Sequence, residues 1–202
     1  MNASVISDSF SAFNSRRGFL RTVPVLLASC YGVLPRRSLA SVPGLDPVFW
    51  SQPRAIKVLT PEQSLREYVY WRDGEFQMDD YLALSAACLD VREGRAVQMA
   101  PGVFDIIFAT QQWYERTERK STYTQLTSAF RTPSTNAIVG GAPGSTHMKG
   151  TAADGKLKGV DLPTYASMVR TYGAGGVGLY QKHVHWDVGR SPVFWRGRGA
   201  SE

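Results

Sequence analysis

The chain holds three histidines in 202 residues, and all three fall inside two short stretches, Ser145-Thr146-His147-Met148-Lys149-Gly150-Thr151-Ala152-Ala153-Asp154 and His183-Val184-His185-Trp186-Asp187. A random scatter does not cluster them this way, and convergence on one divalent ion supplies a physical reason. Neutral imidazole and carboxylate are ordinary zinc ligands, and a catalytic site keeps a fourth position open beside three protein ligands. His147 and Asp154 can meet at one ion if the chain turns at Gly150. His183 and His185 are spaced i and i+2, so a strand presents both rings on one face. The fold therefore has to bring a strand beside a turned arm, because the spacing is not that of a single helix carrying H-E-x-x-H.

Composition decides what else the chain can be. Its length suits one domain with a proper core, and 43% hydrophobic with 20% charged residues is ordinary for a globular protein. The net charge of +6 invites a nucleic-acid reading. However, the first 40 residues carry five arginines and one aspartate, which leaves only +2 for the rest. We therefore expect no nucleic-acid partner.

Residues 1–40 read as an export signal. Ser15-Arg16-Arg17-Gly18-Phe19-Leu20-Arg21 is a twin-arginine pattern, and the apolar run Val23–Ser29 after it is too short for a permanent bilayer span. Ser38-Leu39-Ala40 suits cleavage after Ala40, which would release the protein to the periplasm. A second route uses Leu27-Ala28-Ser29-Cys30, a lipoprotein-like box, and would tether the protein to the membrane through acylated Cys30. Cleavage after Ala40 leaves only Cys88, so no intramolecular disulfide forms.

The rest of the chain reads as alternating short elements. Residues 41–62 predict a linker and an edge strand at Ala55–Leu59, and residues 63–202 a single domain. Tyr68–Trp71 has strand chemistry and is followed by the turn signal Asp73-Gly74. Asp79 or Asp80 can cap a helix with Tyr81, Leu84 and Cys88 on one stripe. Val103, Ile106, Ile107, Thr110 and Trp113 mark a second helix beginning at Gly102. Tyr123–Ala129 predicts a central strand, Pro133–Gly144 a loop, and Pro163 the start of a helix stopped by Gly173. Gly175-Gly176-Val177-Gly178 lacks the Lys-Ser/Thr and helix of a phosphate loop.

Four ordered motifs carry a resemblance to a known family. His147, Asp154 and His183-Val184-His185 match the pattern shared by lysostaphin-type enzymes, D-Ala-D-Ala metallopeptidases and the hedgehog domain. Ser145–Asp154, Gly175-Gly176-Val177-Gly178-Leu179-Tyr180, Phe130-Arg131-Thr132-Pro133-Ser134-Thr135-Asn136 and Tyr70-Trp71-Arg72-Asp73-Gly74 resemble one branch of it, the peptidase M15-type murein endopeptidases exported to the periplasm. Gly155 departs from that branch, which places a hydrophobic residue there.

The resemblance implies an α+β fold, a mainly antiparallel sheet with flanking helices and a zinc cleft on one sheet face. It implies one Zn2+ per chain, held by His147, Asp154 and His185, and peptidoglycan as the partner. His183 is then the neighbouring base or orienting residue, Arg131 the group that stabilises charge on a tetrahedral intermediate, and Asp187 either a holder of a histidine or a sharer of proton work. Some relatives place a carboxylate three residues before the last ligand, where this chain has Lys182. The implied activity is zinc-dependent hydrolysis of murein peptide crosslinks. Two alternatives stay open at this point: a D,D- or L,D-carboxypeptidase, and a non-catalytic cell-wall-binding module whose zinc is closed by His183 as fourth ligand.

Overall fold

The computed structural model describes residues 46–197; the signal region and Cys30 lie outside the described residues. Two compact units are distinguished, one ending at Gln52 and the other beginning at Pro53. The described part of the first is a single turn of helix, α1 (Pro47–Ser51), capped by Asp46, whose carboxylate accepts from Val48 N at 2.9 Å.

The second unit is α+β, as the motifs imply. Its strands are β1 (Arg54–Leu59), β2 (Leu65–Arg72), β3 (Glu75–Phe76), β4 (Thr124–Ser128), β5 (Ala152–Leu157), β6 (Gly176–Leu179), β7 (Val184–Asp187) and β8 (Val193–Arg196). They form one mixed sheet in the order β3-β2-β1-β4-β5-β7-β6-β8. The β1–β4 and β6–β8 pairs are parallel and the other neighbours antiparallel. Helices α2 (Met78–Ala87) and α3 (Pro101–Glu118) connect β3 to β4, and α5 (Leu162–Thr171) connects β5 to β6.

The strand expected at an edge is β1, and the structure corrects its place: it lies inside the sheet between β2 and β4. Parallel strands need a long crossover, and the α2–α3 connection supplies one that returns β4 to the free side of β1. Ile56 and Val58 are consequently buried while Lys57 between them is not. Two further expectations shift. Helix α2 starts at Met78 with Gln77 before it, so neither Asp79 nor Asp80 caps it; Asp80 instead accepts from Val69 N on β2 at 2.7 Å. The segment read as a loop after Arg131 begins with a helix, α4 (Pro133–Ile138), because Thr132 accepts from Thr135 N and Pro133 occupies the first turn.

The core is built by α3 against the sheet. Phe104 is edge-on to both Tyr70 and Tyr81, and the Tyr81 hydroxyl donates to Met99 O at 2.5 Å. Trp186 on β7 is fully buried, donates to Val103 O at 3.3 Å and stacks edge-on against Tyr165 of α5. Trp186 thus points toward the helices. Its strand neighbours His185 and Asp187 point to the opposite face.

Candidate metal centre

The two histidine-bearing stretches meet across the middle of the sheet. Asp154 on β5 stands opposite His185 on β7 in the antiparallel ladder, so their side chains share a face. His147 comes from a short 3-10 turn, Thr146–Lys149, which ends at Gly150 with φ +65°. That left-handed residue is the expected turn, and it lets the arm fold back onto β5. One ligand atom from each of His147, Asp154 and His185 lies within 4.8 Å of the others.

Hydrogen bonds on the outer side of each ring assign the nitrogens. His147 Nδ1 lies 2.5 Å from the carbonyl of Ala129, an acceptor only, so it carries the proton and Nε2 is left bare. His185 Nε2 faces Asp187 Oδ2 at 3.2 Å, which leaves Nδ1 on the inner side. His147 Nε2 and His185 Nδ1 are then 3.1 Å apart, and both approach Asp154 Oδ1, at 3.2 and 2.9 Å. Two lone pairs and a carboxylate oxygen at such distances repel unless a positive charge lies among them. The charge can be a proton or a metal ion, and the donor set of two imidazoles and one carboxylate suits zinc.

The electrostatics point the same way. Burial acts to raise the Asp154 carboxyl, but hydrogen bonds and charge from His147 and His185 outweigh it and hold the group well below the usual carboxylate range. Burial acts to lower His185, and the Asp154 and Asp187 carboxylates outweigh that too, raising it. A field that favours imidazolium at this point also favours a bound cation.

Asp187 is fully buried and does not reach solvent. Its carboxylate accepts from Gly176 N at 2.8 Å and from Arg190 Nε at 2.9 Å, pairs again with Arg190 Nη2, and takes a long contact from Thr146 Oγ1 at 3.4 Å. A Cβ at residue 176 would fall 2.0 Å from the Arg190 guanidinium and 2.4 Å from Asp187 Oδ2, so glycine there is the condition for the pair to cross β6. This is one physical origin of the glycine-rich motif.

Arg131 lies beside the triad, with its side chain 17% exposed. Its Nη2 pairs with Asp154 Oδ2 and its Nε donates to Ser128 Oγ at 2.7 Å. His183 stands at the mouth, 27% exposed, with Nε2 4.0 Å from Asp154 Oδ2. Its ring stacks on Tyr180 at 4.7 Å between centroids. Burial lowers its pKa and the Asp154 charge only partly offsets this. His183 is therefore outside the three-atom cluster and beside it.

Several residues that shape the site carry no sequence signal of their own. Asp90 accepts from both the backbone N–H and the hydroxyl of Thr132, at 2.8 and 2.9 Å, and so fixes the turn that carries Arg131. The two are 42 positions apart, and Asp90 alone reads as a turn residue. Trp195 donates to the Tyr180 hydroxyl at 3.0 Å and lies 5.2 Å from His185, with Arg190 across its ring. Asn136, by contrast, closes the Phe130–Asn136 motif already singled out; it donates to Ala142 O at 3.0 Å and holds the loop leading into the His147 turn.

The chain matches, over residues 51–194, the peptidase family described as peptidoglycan L,D-endopeptidase MepK. The match spans most of the chain and all the residues of the site, and the chain belongs to this M15-type peptidase family. No curated protein matches the chain.

Proposed function

We propose that the protein is a zinc-dependent murein endopeptidase, exported to the periplasm, that hydrolyses an L,D-type peptide crosslink of peptidoglycan. The observation that carries this reading is the convergence of His147 Nε2, Asp154 Oδ1 and His185 Nδ1 with both outer nitrogens already tied. A zinc ion held by these three residues would polarise an amide carbonyl and acidify a water molecule.

The chain's own groups divide the remaining work. Asp187 and Arg190 hold His185 in the tautomer that turns Nδ1 inward; a carboxylate behind a ligand histidine raises its basicity and fixes the ring. Asp187 is thus a positioning residue, since its complete burial keeps it from a substrate. Arg131 pairs with Asp154 Oδ2 and offers a guanidinium next to the place where an amide oxygen gains negative charge. His183 is neutral at neutral pH, half-buried and at the mouth, so it can take a proton from water and return it to the leaving amine. Its position outside the cluster supports three protein ligands and an open fourth place, rather than a closed structural ion.

The test is mass spectrometry of a murein digest treated with the zinc-loaded protein, the chelated protein and His185→Ala. Zinc-dependent loss of crosslinked dimers is expected, and product masses name the bond. Loss of a terminal residue from monomers alone would make the protein a carboxypeptidase. A folded protein that holds one zinc and leaves murein unchanged would make it a binding module. Arg131→Ala should retain zinc while kcat falls by about 10²–10³.

A further inference from the structure

The modest overall charge hides an uneven distribution. Residues 131–197, which include every member of the site, carry eight lysines and arginines against three aspartates. Two of those aspartates, Asp154 and Asp187, are buried in the site itself. On β1 and β2 the cations are matched: Arg54 pairs with Asp105, Lys57 with Glu67, Arg66 with Asp80 and Arg72 with Asp73. Residues 131–197 hold four exposed lysines with no carboxylate partner among the described residues, and three of them, Lys149, Lys156 and Lys182, lie within three residues of a candidate ligand.

Each of the three sits on a different ligand-bearing segment. Lys149 is two residues after His147 in the 3-10 turn. Lys156 is two after Asp154 on β5, on the same face and about 7 Å along the strand. Lys182 occupies the corner of the β6–β7 turn, which Tyr180 N closes onto His183 O at 3.0 Å, directly before His183. Three lysines on three separate arms are therefore placed within three residues of a candidate ligand.

Resting on the peptidase reading, we propose that Lys149, Lys156 and Lys182 form a cationic collar that recognises free carboxylates flanking the scissile bond, making an acidic peptide the preferred substrate. The spread decides the partner. A lysine is a point charge on a flexible stem, and three of them on separate arms match separate single carboxylates on a peptide. A phosphate-rich polymer would be met better by clustered guanidiniums. Complementary rim charge acts mainly on encounter and substrate affinity and is screened by salt.

The experiment uses the full chain, zinc-loaded, and two synthetic crosslinked peptides of one sequence, with free or amidated carboxylates. Wild type should prefer the free-carboxylate peptide by about tenfold in kcat/KM at low salt, mostly through KM. In Lys149→Gln/Lys156→Gln/Lys182→Gln that preference should collapse to about one, as it should in wild type at high salt. Lys158→Gln, which removes an equally exposed and unpaired lysine beyond the end of β5, should keep the preference. Equal cleavage of both peptides by wild type, or equal loss of preference in Lys158→Gln, would overturn the collar. Cleavage of neither peptide would count against the peptidase reading instead; calorimetric binding of the two peptides to the zinc-loaded protein then decides the collar, which fails if wild type binds them equally.

Discussion

The two ends of the sheet follow different rules. At the β2–β1 end, alternate residues are buried, Ile56, Val58, Tyr68 and Tyr70, and the cations Lys57 and Arg66 on the same strands find acidic partners. At the β7–β6 end all four residues of each strand are buried, and they include a histidine, an aspartate and two glycines. The first end is stabilised by apolar area removed from water. The second buries polar groups, which is costly unless each is partnered, and so it depends on the Asp187 network and on a triad that could hold a cation. One end is a scaffold, and the other is a site maintained by specific bonds.

That contrast breaks most plainly at the core. Phe104→Ala removes a fully buried ring from between Tyr70 and Tyr81, and urea unfolding should show a loss of about 3–5 kcal/mol. The folded fraction should still take up its metal. Loss of metal with intact folding would show that the two ends are not separable. Next in size is Asp187→Ala, which strands the Gly176 N–H, the Arg190 guanidinium and the outer nitrogen of His185. Stability of the metal-free protein should fall by about 1–3 kcal/mol, and zinc affinity by about 10–100-fold in a chelator competition. An unchanged affinity would remove Asp187 from the account of His185.

The smallest effect sharpens the link between the ends. Asp90 joins the segment after α2 to the Arg131 turn. Burial acts to raise its carboxyl, but the backbone and hydroxyl donors of Thr132 and the other donors around it outweigh that and lower it. A folded-state pKa below the ordinary value of about 3.9 means that the stabilisation is fully present above that pH and is lost as pH falls through the folded value. Asp90→Asn should therefore cost about 1 kcal/mol in the chelated protein at pH 7 and progressively less below pH 4. A gap between wild type and variant that stays constant across that range would contradict this assignment.

The same contrast explains what the sequence could and could not say. Tyr81, Leu84, Ile106 and Ile107 lie on periodic stripes, so the scaffold helices were readable. The cluster of His147, Asp154 and His185 was readable because histidine is rare in this chain and its spacing matched a family pattern. Position in the sheet was not: nothing in Ala55–Leu59 tells that β4 will return beside it, which is a consequence of the α2–α3 crossover. Nor was the second layer of the site. Arg190 and Asp90 act through partners that only folding brings near. Gly155, a departure from the related branch, has its reason in a contact: a Cβ there would lie 2.6 Å from the backbone Gln125 O of β4 and 3.3 Å from the Trp186 ring, so the neighbouring strand's carbonyl, with the indole beside it, takes the space.

The proposed function requires that His147, Asp154 and His185 hold one catalytic metal ion. Zinc stoichiometry of the purified protein after dialysis, by elemental analysis, tests it most directly when run beside Asp154→Ala with folding checked by circular dichroism. One zinc per chain is expected in wild type and none in the folded variant. Full zinc retention in folded Asp154→Ala, or no zinc uptake by wild type, would contradict it.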